Sequence, residues 1–205
     1  MAILENIWAL GPRRDQAFRR IACLLLAVAL SVPAVHGQRS ASEEELKAAF
    51  IFRFLNFIEW PENTFEKEDD PIIVGLLGES PMEKELDKAL SGKYVQERPL
   101  QLKLGATAEA LKDCQVVFIA ESASEELAAV LEQLKGAPIV TVSDLPDFAR
   151  KGGMIQLFRA DNKVRFDINM DSVKSAKIKI SSRLIQLASS ILSAEDTVQE
   201  SASRS

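Results

Sequence analysis

Two cysteines and one histidine are the side chains of this chain that most often serve as nucleophiles or soft metal ligands: Cys23, His36 and Cys114. Cys23 and His36 lie in an N-terminal segment that we predict to be removed, which leaves one thiol and no imidazole. Serine–histidine–aspartate and cysteine–histidine sites are then excluded, as are zinc or copper sites built on imidazole or paired thiolates. We therefore expect no catalytic residue, no metal site and no cofactor.

Two segments have partial resemblance to sites that handle phosphate, and each has a plainer interpretation. The turn Gly75 to Ser80 could hold an anion on its backbone amides, but it lacks the Gly-Lys-Ser/Thr ending of a phosphate loop and the third glycine of a dinucleotide site. A plain strand-to-helix turn is favoured. A receiver-type phosphoacceptor is disfavoured because the strand Gln115 to Ala120 is followed by Glu121, whereas that chemistry needs an aspartate.

Basic side chains are the remaining candidates. Arg53 is the only charged residue in the segment RFLNFI, and a helical wheel places it between apolar residues. It is either a structural ion-pair partner or a contact to a ligand or partner. Charged residues also alternate along a later segment, at Arg159, Lys163, Arg165 and Asp167. That pattern fits a solvated sheet face, or else a surface for an anionic ligand or an acidic partner.

The N-terminus has the pattern of a secretory signal peptide. Four arginines precede an uncharged run, Ile21 to Val35, which is too short to span a bilayer as a helix. We place cleavage after Gly37, with an uncleaved anchor as the alternative. The predicted organisation is a signal peptide over 1–37, one α/β domain over 38–192 and a disordered, Ser- and acid-rich tail over 193–205.

The whole chain has 205 residues, 47% hydrophobic content and a net charge of −5. This length corresponds to one domain, and the part left after cleavage is large enough to form a core without disulfides or metal. The acidic balance and the lack of a Lys/Arg block argue against nucleic acid as a partner, since phosphate neutralisation needs clustered cations.

Apolar runs and helix signals predict the elements. A capping box, Ser42 with Glu45, opens a helix over 43–59 that is apolar nearly all round, so it is either deeply buried or covered by a partner chain. Short apolar strands alternating with helices then indicate an α/β sandwich, a single domain with a mostly parallel sheet flanked by helices. Ala160-Asp161-Asn162 predicts a hairpin turn, and RLIQLASSIL over 183–192 predicts a final helix, so the fold class includes a C-terminal β-hairpin and helix.

Several segments, taken in order, resemble the YfiR-like periplasmic proteins. They span nearly the whole chain after the signal peptide: Ala48 to Phe54, Phe57 to Pro61, Ile73 to Gly78, Arg98 to Leu100, Leu111 to Cys114, Val140 to Asp144, Gly152 to Ile155, Val164 to Asn169 and Ile180 to Ala188. The resemblance implies a periplasmic, non-enzymatic regulator that binds the periplasmic part of an inner-membrane diguanylate cyclase and lowers cyclic di-GMP signalling and biofilm formation. It also implies an outer-membrane lipoprotein that sequesters the regulator, and a homodimer.

Candidate contacts to a partner or ligand follow from both lines of reasoning. They are Arg53, Trp60, Arg159, Arg165 and Asn169, and all of them except Arg159 lie in segments that carry the resemblance. The alternative function is a periplasmic module that binds a small anion near Arg159 or Arg165. An uncharacterised carboxylate-dependent hydrolase is a third hypothesis, for which the sequence offers no paired acids at a meaningful spacing.

Cys114 precedes a buried strand and is interpreted as a small core residue. A leftover cysteine in an exported protein could instead form an intermolecular disulfide. The resemblance implies a disulfide between Cys114 and a cysteine of the first strand, but Gly75 stands at the corresponding position. The redox control associated with that disulfide is therefore not expected for this chain.

Overall fold

The computed structural model describes residues 41–193, so the predicted signal peptide and nearly all of the predicted tail lie outside the described residues. The helices are α1 Glu43–Phe54, α2 Met82–Leu90, α3 Leu127–Leu134, α4 Met170–Ser175 and α5 Ser182–Leu187. The strands are β1 Ile58–Glu59, β2 Ile72–Leu77, β3 Tyr94–Val95, β4 Arg98–Gly105, β5 Val116–Ile119, β6 Val140–Ser143, β7 Ile155–Ala160, β8 Lys163–Asn169, β9 Lys179–Ile180 and β10 Ser190–Leu192.

Eight of these strands form one sheet in the order β10-β8-β7-β6-β5-β2-β4-β3. The run from β7 to β4 is parallel throughout, and β10 is parallel to β8. The pairs β7–β8 and β3–β4 are antiparallel. The predicted fold class, an α/β sandwich with a mostly parallel sheet, is confirmed.

The central strands form because they are short, apolar and covered on both faces. Every residue of β5 and β6 is buried, as expected for parallel strands with helices on either side. Helices α1 and α2 pack on one face of the sheet, and α3 packs on the other together with a 3-10 turn over Glu109–Leu111. Each face therefore has its own hydrophobic core.

Helix α1 begins where the capping box predicts, since the Ser42 hydroxyl accepts a hydrogen bond from the Glu45 N–H at 3.1 Å. It ends earlier than predicted. The chain tightens into a 3-10 turn over Leu55–Phe57 and then becomes β1, which pairs antiparallel with β9. The prediction of a helix to Glu59 was wrong because Ile58 and Glu59 pair with β9, a strand distant in sequence.

The predicted hairpin is confirmed. β7 and β8 pair from Ile155 with Ile168 to Ala160 with Lys163, leaving Asp161 and Asn162 as a two-residue turn. Both turn residues have positive φ, 51° and 58°, which matches the right-handed twist of the two strands. Aspartate and asparagine tolerate this conformation better than most other residues.

The predicted final helix is only half correct. Helix α5 ends at Leu187, Ala188 adopts an extended backbone with ψ of 145°, and the chain continues as β10. β10 pairs with Asp167, Ile168 and Asn169 at the end of β8. Residues 190–192 thus pair with the edge of β8 instead of continuing the helix.

Candidate functional site

A groove runs between the outer face of α1, the edge of β8 and helix α5, and we call it the α1–β8 groove. Its volume is about 660 Å³. Its apolar lining includes Leu46, Phe50, Phe57, Phe166, Leu184 and Leu187. Two of these side chains are strongly exposed, Leu46 at 38% and Leu187 at 67%. The exposed leucines on opposite walls leave the groove with an apolar surface open to a partner.

Three phenylalanine rings form the floor of the groove. The ring of Phe54 lies 4.9 Å from that of Phe166 and 5.9 Å from that of Phe50, both edge to face. Phe50 and Phe166 complete the triangle at 6.1 Å. Edge-to-face packing holds the rings in fixed orientations. The floor therefore joins α1 to β8 rigidly.

Cationic residues stand at the rim. Arg53 of α1 is exposed, lines the groove and makes no ion pair with any residue in 41–193. The structure of this range therefore contains no structural ion pair of the kind that the sequence allows for Arg53. Atoms of Lys163 and Arg165 line the opposite side, and the Arg165 guanidinium lies 3.2 Å from the exposed Asp161 carboxylate.

Arg159 points to the same face of the sheet as α1. Its guanidinium donates to Glu43 Oε2 at 3.3 Å and to Asn162 Oδ1 at 3.2 Å. Glu43 also accepts from Lys47 at 2.7 Å, and this hydrogen bond lowers the pKa of Glu43. Arg159 thus belongs to an ion-pair network that ties the hairpin to the start of α1.

Lys47 is the buried member of that network. It is only 7% exposed, and its ammonium lies 2.6 Å from Asp144 Oδ2 at the end of β6. Burial alone lowers the pKa of Lys47, but the hydrogen bonds to Asp144 and Glu43 outweigh burial and the pKa is raised. The lysine therefore remains charged and fastens α1 to the sheet.

Trp60 and Asn169 do not line the groove. The Trp60 Nε1–H donates to the Gln115 carbonyl at 3.3 Å, and its ring contacts Phe65 edge to face at 6.2 Å. The Asn169 carboxamide caps α4, because its Oδ1 accepts from the N–H groups of Asp171 and Ser172 at 3.1 and 3.0 Å. Its Nδ2 donates to the Ala149 carbonyl at 2.7 Å.

The structure thus brings Arg53 and Arg165 to one groove, with Arg159 in the adjoining network, and places Trp60 and Asn169 elsewhere. Sequence reasoning missed Leu184 and Leu187 as groove residues. Their spacing of three residues in a short helix places both leucines on one helical face, and this spacing could have been noticed in the sequence. The spacing does not indicate that Leu187 is exposed while Leu184 is buried.

The other candidate sites have local structural roles. In the turn after β2, the Glu79 N–H donates to Ser122 Oγ at 2.8 Å and the Gly78 N–H to the Gly105 carbonyl at 3.1 Å, so these two amides are already engaged.

Cys114 is a free, buried thiol, as predicted for a core residue. Burial, aided by the neighbouring Asp113 charge, raises its pKa to about 12.

Two further features concern only the part of the chain that the structure describes. Within residues 41–193, histidine, cysteine and carboxylate side chains form no group of three or more suited to a metal ion. No helix in the same range has the length and apolar character needed to cross a membrane.

Comparison with solved structures places the fold among α/β domains. The chain is similar to a conserved domain protein from Vibrio cholerae O1 biovar El Tor strain N16961, with a TM-score of 0.51 and 10% identity over 74% of this chain and 60% of that one. The ABC domain from Streptococcus pneumoniae in complex with L-Trp aligns with a TM-score of 0.44 and 8% identity, over 58% of this chain and 56% of that one.

Family comparison is more specific than these structural likenesses. No protein among those with curated descriptions matches the chain. The family model described as YfiR/HmsC-like (DUF4154) matches residues 44–189, from the first turn of α1 to the residue before β10. The match includes both walls of the α1–β8 groove. The chain belongs to the YfiR/HmsC-like family.

Proposed function

We propose that this protein is exported to the periplasm, binds the periplasmic part of an inner-membrane diguanylate cyclase and holds the enzyme inactive without catalysing a reaction itself. Proteins of the YfiR/HmsC-like family are periplasmic regulators of diguanylate cyclases. The observation that carries the proposal is the family match over 44–189, which covers the whole α/β body and its groove. By this proposal, cyclic di-GMP and biofilm formation fall when the protein is present.

The physical basis is a difference in affinity between two states of the cyclase. A regulator shifts such an equilibrium only as far as it binds the inactive form more tightly than the active form. The α1–β8 groove offers contacts for this selectivity, because it presents exposed leucines and Arg53, which makes no ion pair within residues 41–193. A shift from mostly active to mostly inactive needs roughly a 10⁴-fold preference for the inactive state.

Two further partners complete the proposal. An outer-membrane lipoprotein would sequester the regulator and so release the cyclase. A homodimer is the proposed assembly of the regulator itself, and sedimentation velocity of the purified exported protein tests it directly. A single species with the mass of one chain across the micromolar range would remove the dimer from the proposal.

The regulatory role is tested by deleting the gene and complementing it with matched variants. Deletion should raise cyclic di-GMP, and the wild-type gene should restore it. Leu187→Glu places a charge in the groove at a side chain that is 67% exposed, so the fold should tolerate it. Tyr94→Glu is the control, because Tyr94 is 66% exposed and does not line the groove.

We expect Leu187→Glu to leave cyclic di-GMP at the deletion level and Tyr94→Glu to restore the wild-type level. Both proteins should accumulate equally in periplasmic extracts. Unchanged cyclic di-GMP on deletion, in a strain that carries a neighbouring membrane cyclase, would count against the proposed function.

A small-anion binding module is the second candidate. The observation in its favour is that Arg53, which makes no ion pair in residues 41–193, faces a groove whose volume lies within the range of small-molecule sites. Thermal-shift titration with phosphate and with citrate should then raise the melting temperature in wild type and not in Arg53→Ala. A flat response in both proteins removes this candidate.

A further inference from the structure

The outer edge of β8 is only half covered. β10 pairs with Asp167, Ile168 and Asn169, and no strand in residues 41–193 pairs with the outer side of Lys163 to Phe166. This uncovered part of the strand borders the α1–β8 groove. An unpaired strand edge offers backbone donors and acceptors to any extended chain that can reach it.

The direction of the free backbone groups follows from one hydrogen bond. The Phe166 carbonyl accepts from the Ser189 N–H at 2.8 Å, so the polar backbone groups of Phe166 point outward, away from β7. Strand residues two apart point their backbone groups the same way. The N–H and carbonyl of Val164 therefore also point outward, beside the groove, and so does the N–H of Phe166.

Side chains on the two faces of this edge differ in character. Val164 pairs with Arg159, which bonds Glu43 of α1, so Val164 and Phe166 face the groove. Lys163 and Arg165 also border the groove along the strand edge, but they alternate with Val164 and Phe166, so their side chains leave β8 toward the other face of the sheet. One face of the free edge is thus apolar and the other is cationic.

From this geometry we propose that the groove receives an extended partner segment in which apolar and acidic residues alternate, and that this segment pairs with β8 as an added strand. Its apolar side chains enter the groove over the three phenylalanine rings. Its carboxylates lie beside Lys163 and Arg165. The inference rests on the proposed function only for the identity of the partner, and the recognition chemistry is read from the edge of β8 and the floor of the groove.

Charge favours an acidic partner over a second copy of this chain. Lys163 makes no ion pair within residues 41–193, and Arg165 has only the exposed Asp161. Two copies joined through their β8 edges would set Lys163 and Arg165 against the same cations, which is unfavourable for facing strands. β10 runs parallel to β8 and ends with Leu192 beside Asn169, at the opposite end of the strand from Val164.

The test uses purified exported protein and a synthetic probe, a capped eight-residue peptide in which valine or phenylalanine alternates with glutamate. The comparison peptide has the same composition, with its four apolar residues first and its four glutamates last. Isothermal titration calorimetry should give at least tenfold tighter binding for the alternating peptide. Equal binding of the two peptides, or no heat from either at millimolar concentration, overturns the proposal.

Protein variants locate the binding. Lys163→Glu combined with Arg165→Glu should weaken binding of the alternating peptide at least tenfold. Lys84→Glu combined with Lys93→Glu makes the same charge change at exposed lysines outside the groove, and should leave binding within threefold. A similar loss in both double variants would mean that net charge attracts the peptide, and would overturn the assignment to β8.

Methylating the backbone nitrogens of the peptide distinguishes a paired strand from binding through side chains alone. In an added strand, alternate N–H groups point toward β8 and the others point away. Methylating the backbone nitrogens of the apolar residues in one peptide, and of the glutamates in another, should abolish binding of one peptide and leave the other within threefold. Equal effects would exclude an added strand.

Other occupants give distinct results. A dimer that dissociates with Leu187→Glu but not with excess peptide would identify a second copy as the occupant. A chain ending at residue 193 that binds the peptide tenfold more tightly than the full chain would identify the C-terminal segment as the occupant. Either result overturns the proposal. These binding measurements contain no cyclase, so a negative result does not bear on the regulatory role, which cyclic di-GMP levels test. Unchanged cyclic di-GMP levels would in turn not bear on peptide binding at β8.

Discussion

Gly75 lies beside the thiol of Cys114, and its missing side chain is what leaves that thiol free. A Cβ atom built on Gly75 would lie 3.0 Å from Cys114 Sγ and 3.2 Å from the nearest methyl carbon of Leu111. The first distance is short enough for the two positions to carry a disulfide, and the second requires Leu111 to move by a few tenths of an ångström. The spacing of the two positions is therefore compatible with a disulfide bond.

Gly75→Cys should therefore form a disulfide with Cys114 under oxidising conditions. Closing the loop between these residues should raise the free energy of unfolding by up to about 4 kcal/mol, less whatever strain Leu111 introduces. Mass spectrometry of the alkylated protein and urea unfolding with and without reductant measure the bond and its effect. The control is Gly75→Cys with Cys114→Ser, in which reductant should change nothing; free thiols in the oxidised single variant would contradict the prediction.

Gly153 is required for a different reason, which is the close approach of an aromatic ring. A Cβ on Gly153 would lie 2.1 Å from a ring carbon of Phe148, a side chain with no exposed surface. Gly153→Ala should destabilise the fold by about 2 kcal/mol through overpacking. Chemical denaturation of Gly153→Ala, Phe148→Leu and the double variant tests this. The two substitutions should be less costly together than the sum of their separate effects, and strict additivity would show that the ring is not the obstacle.

At the scale of elements, Lys47 fixes α1 against the end of β6. Its ammonium contacts Glu43 one helical turn back and Asp144 after β6, at 2.7 and 2.6 Å. Removing one member of a buried ionic group leaves its partners without compensation. Because α1 forms one wall of the groove, this contact also sets the position of Arg53 and Phe50.

Lys47→Ala should lower the free energy of unfolding by about 2 kcal/mol, a figure reduced from the fully buried case because both carboxylates are partly exposed. Urea unfolding at neutral pH measures the change. Lys88→Ala is the matched control, since Lys88 pairs with Glu45 and Glu85 at an exposed site, and no measurable change is expected there. Equal losses in the two variants would show that Lys47 has no special role.

The same contact has a defined pH dependence. Hydrogen bonding from Lys47 lowers the pKa of Glu43 below its ordinary value of 4.5. A carboxylate with a lowered pKa stabilises the fold fully above the ordinary value and loses that effect as pH falls through the lowered one. The stability difference between wild type and Lys47→Ala should therefore shrink below pH 4.5. A difference that stays constant down to pH 3 in urea titrations would rule out this linkage.

Elements defined by local pattern were predictable, and elements defined by distant pairing were not. β5 and the β7–β8 hairpin have apolar runs and turn residues that mark them in the sequence. By contrast, β1 and β10 are short segments whose apolar spacing also fits a helix. β1 becomes a strand through pairing with β9, and β10 through pairing with β8. Sequence periodicity carries no information about those partners.

The groove was predictable only in part for the same reason. Arg53 and Arg165 could be singled out as charges among apolar residues, but their shared position depends on the order of strands in the sheet. The sequence marks Arg159 as a surface cation, but it carries no sign that the guanidinium bonds to Glu43 of α1. Trp60 and Asn169 lie in segments that resemble relatives, and such segments also contain residues that serve the fold.

For the molecule as a whole, export is the condition on which the regulatory role depends. The predicted signal peptide lies outside the described residues, so cleavage after Gly37 stays a prediction. N-terminal sequencing of the protein from a periplasmic extract should begin at Gln38. A chain that retains Cys23 and His36, or that fractionates with the cytosol, would contradict this and restore the two side chains whose loss argues against catalysis.

Trp60 has a practical consequence for the study of this protein. It is the only tryptophan in residues 41–193, and its indole packs on Phe65 and bonds the chain before β5, apart from the α1–β8 groove. Intrinsic fluorescence excited at the indole band therefore monitors this end of the sheet. The emission maximum should shift to longer wavelength on denaturation and stay unchanged when a ligand binds in the groove. A single fluorescence titration can therefore distinguish unfolding from binding.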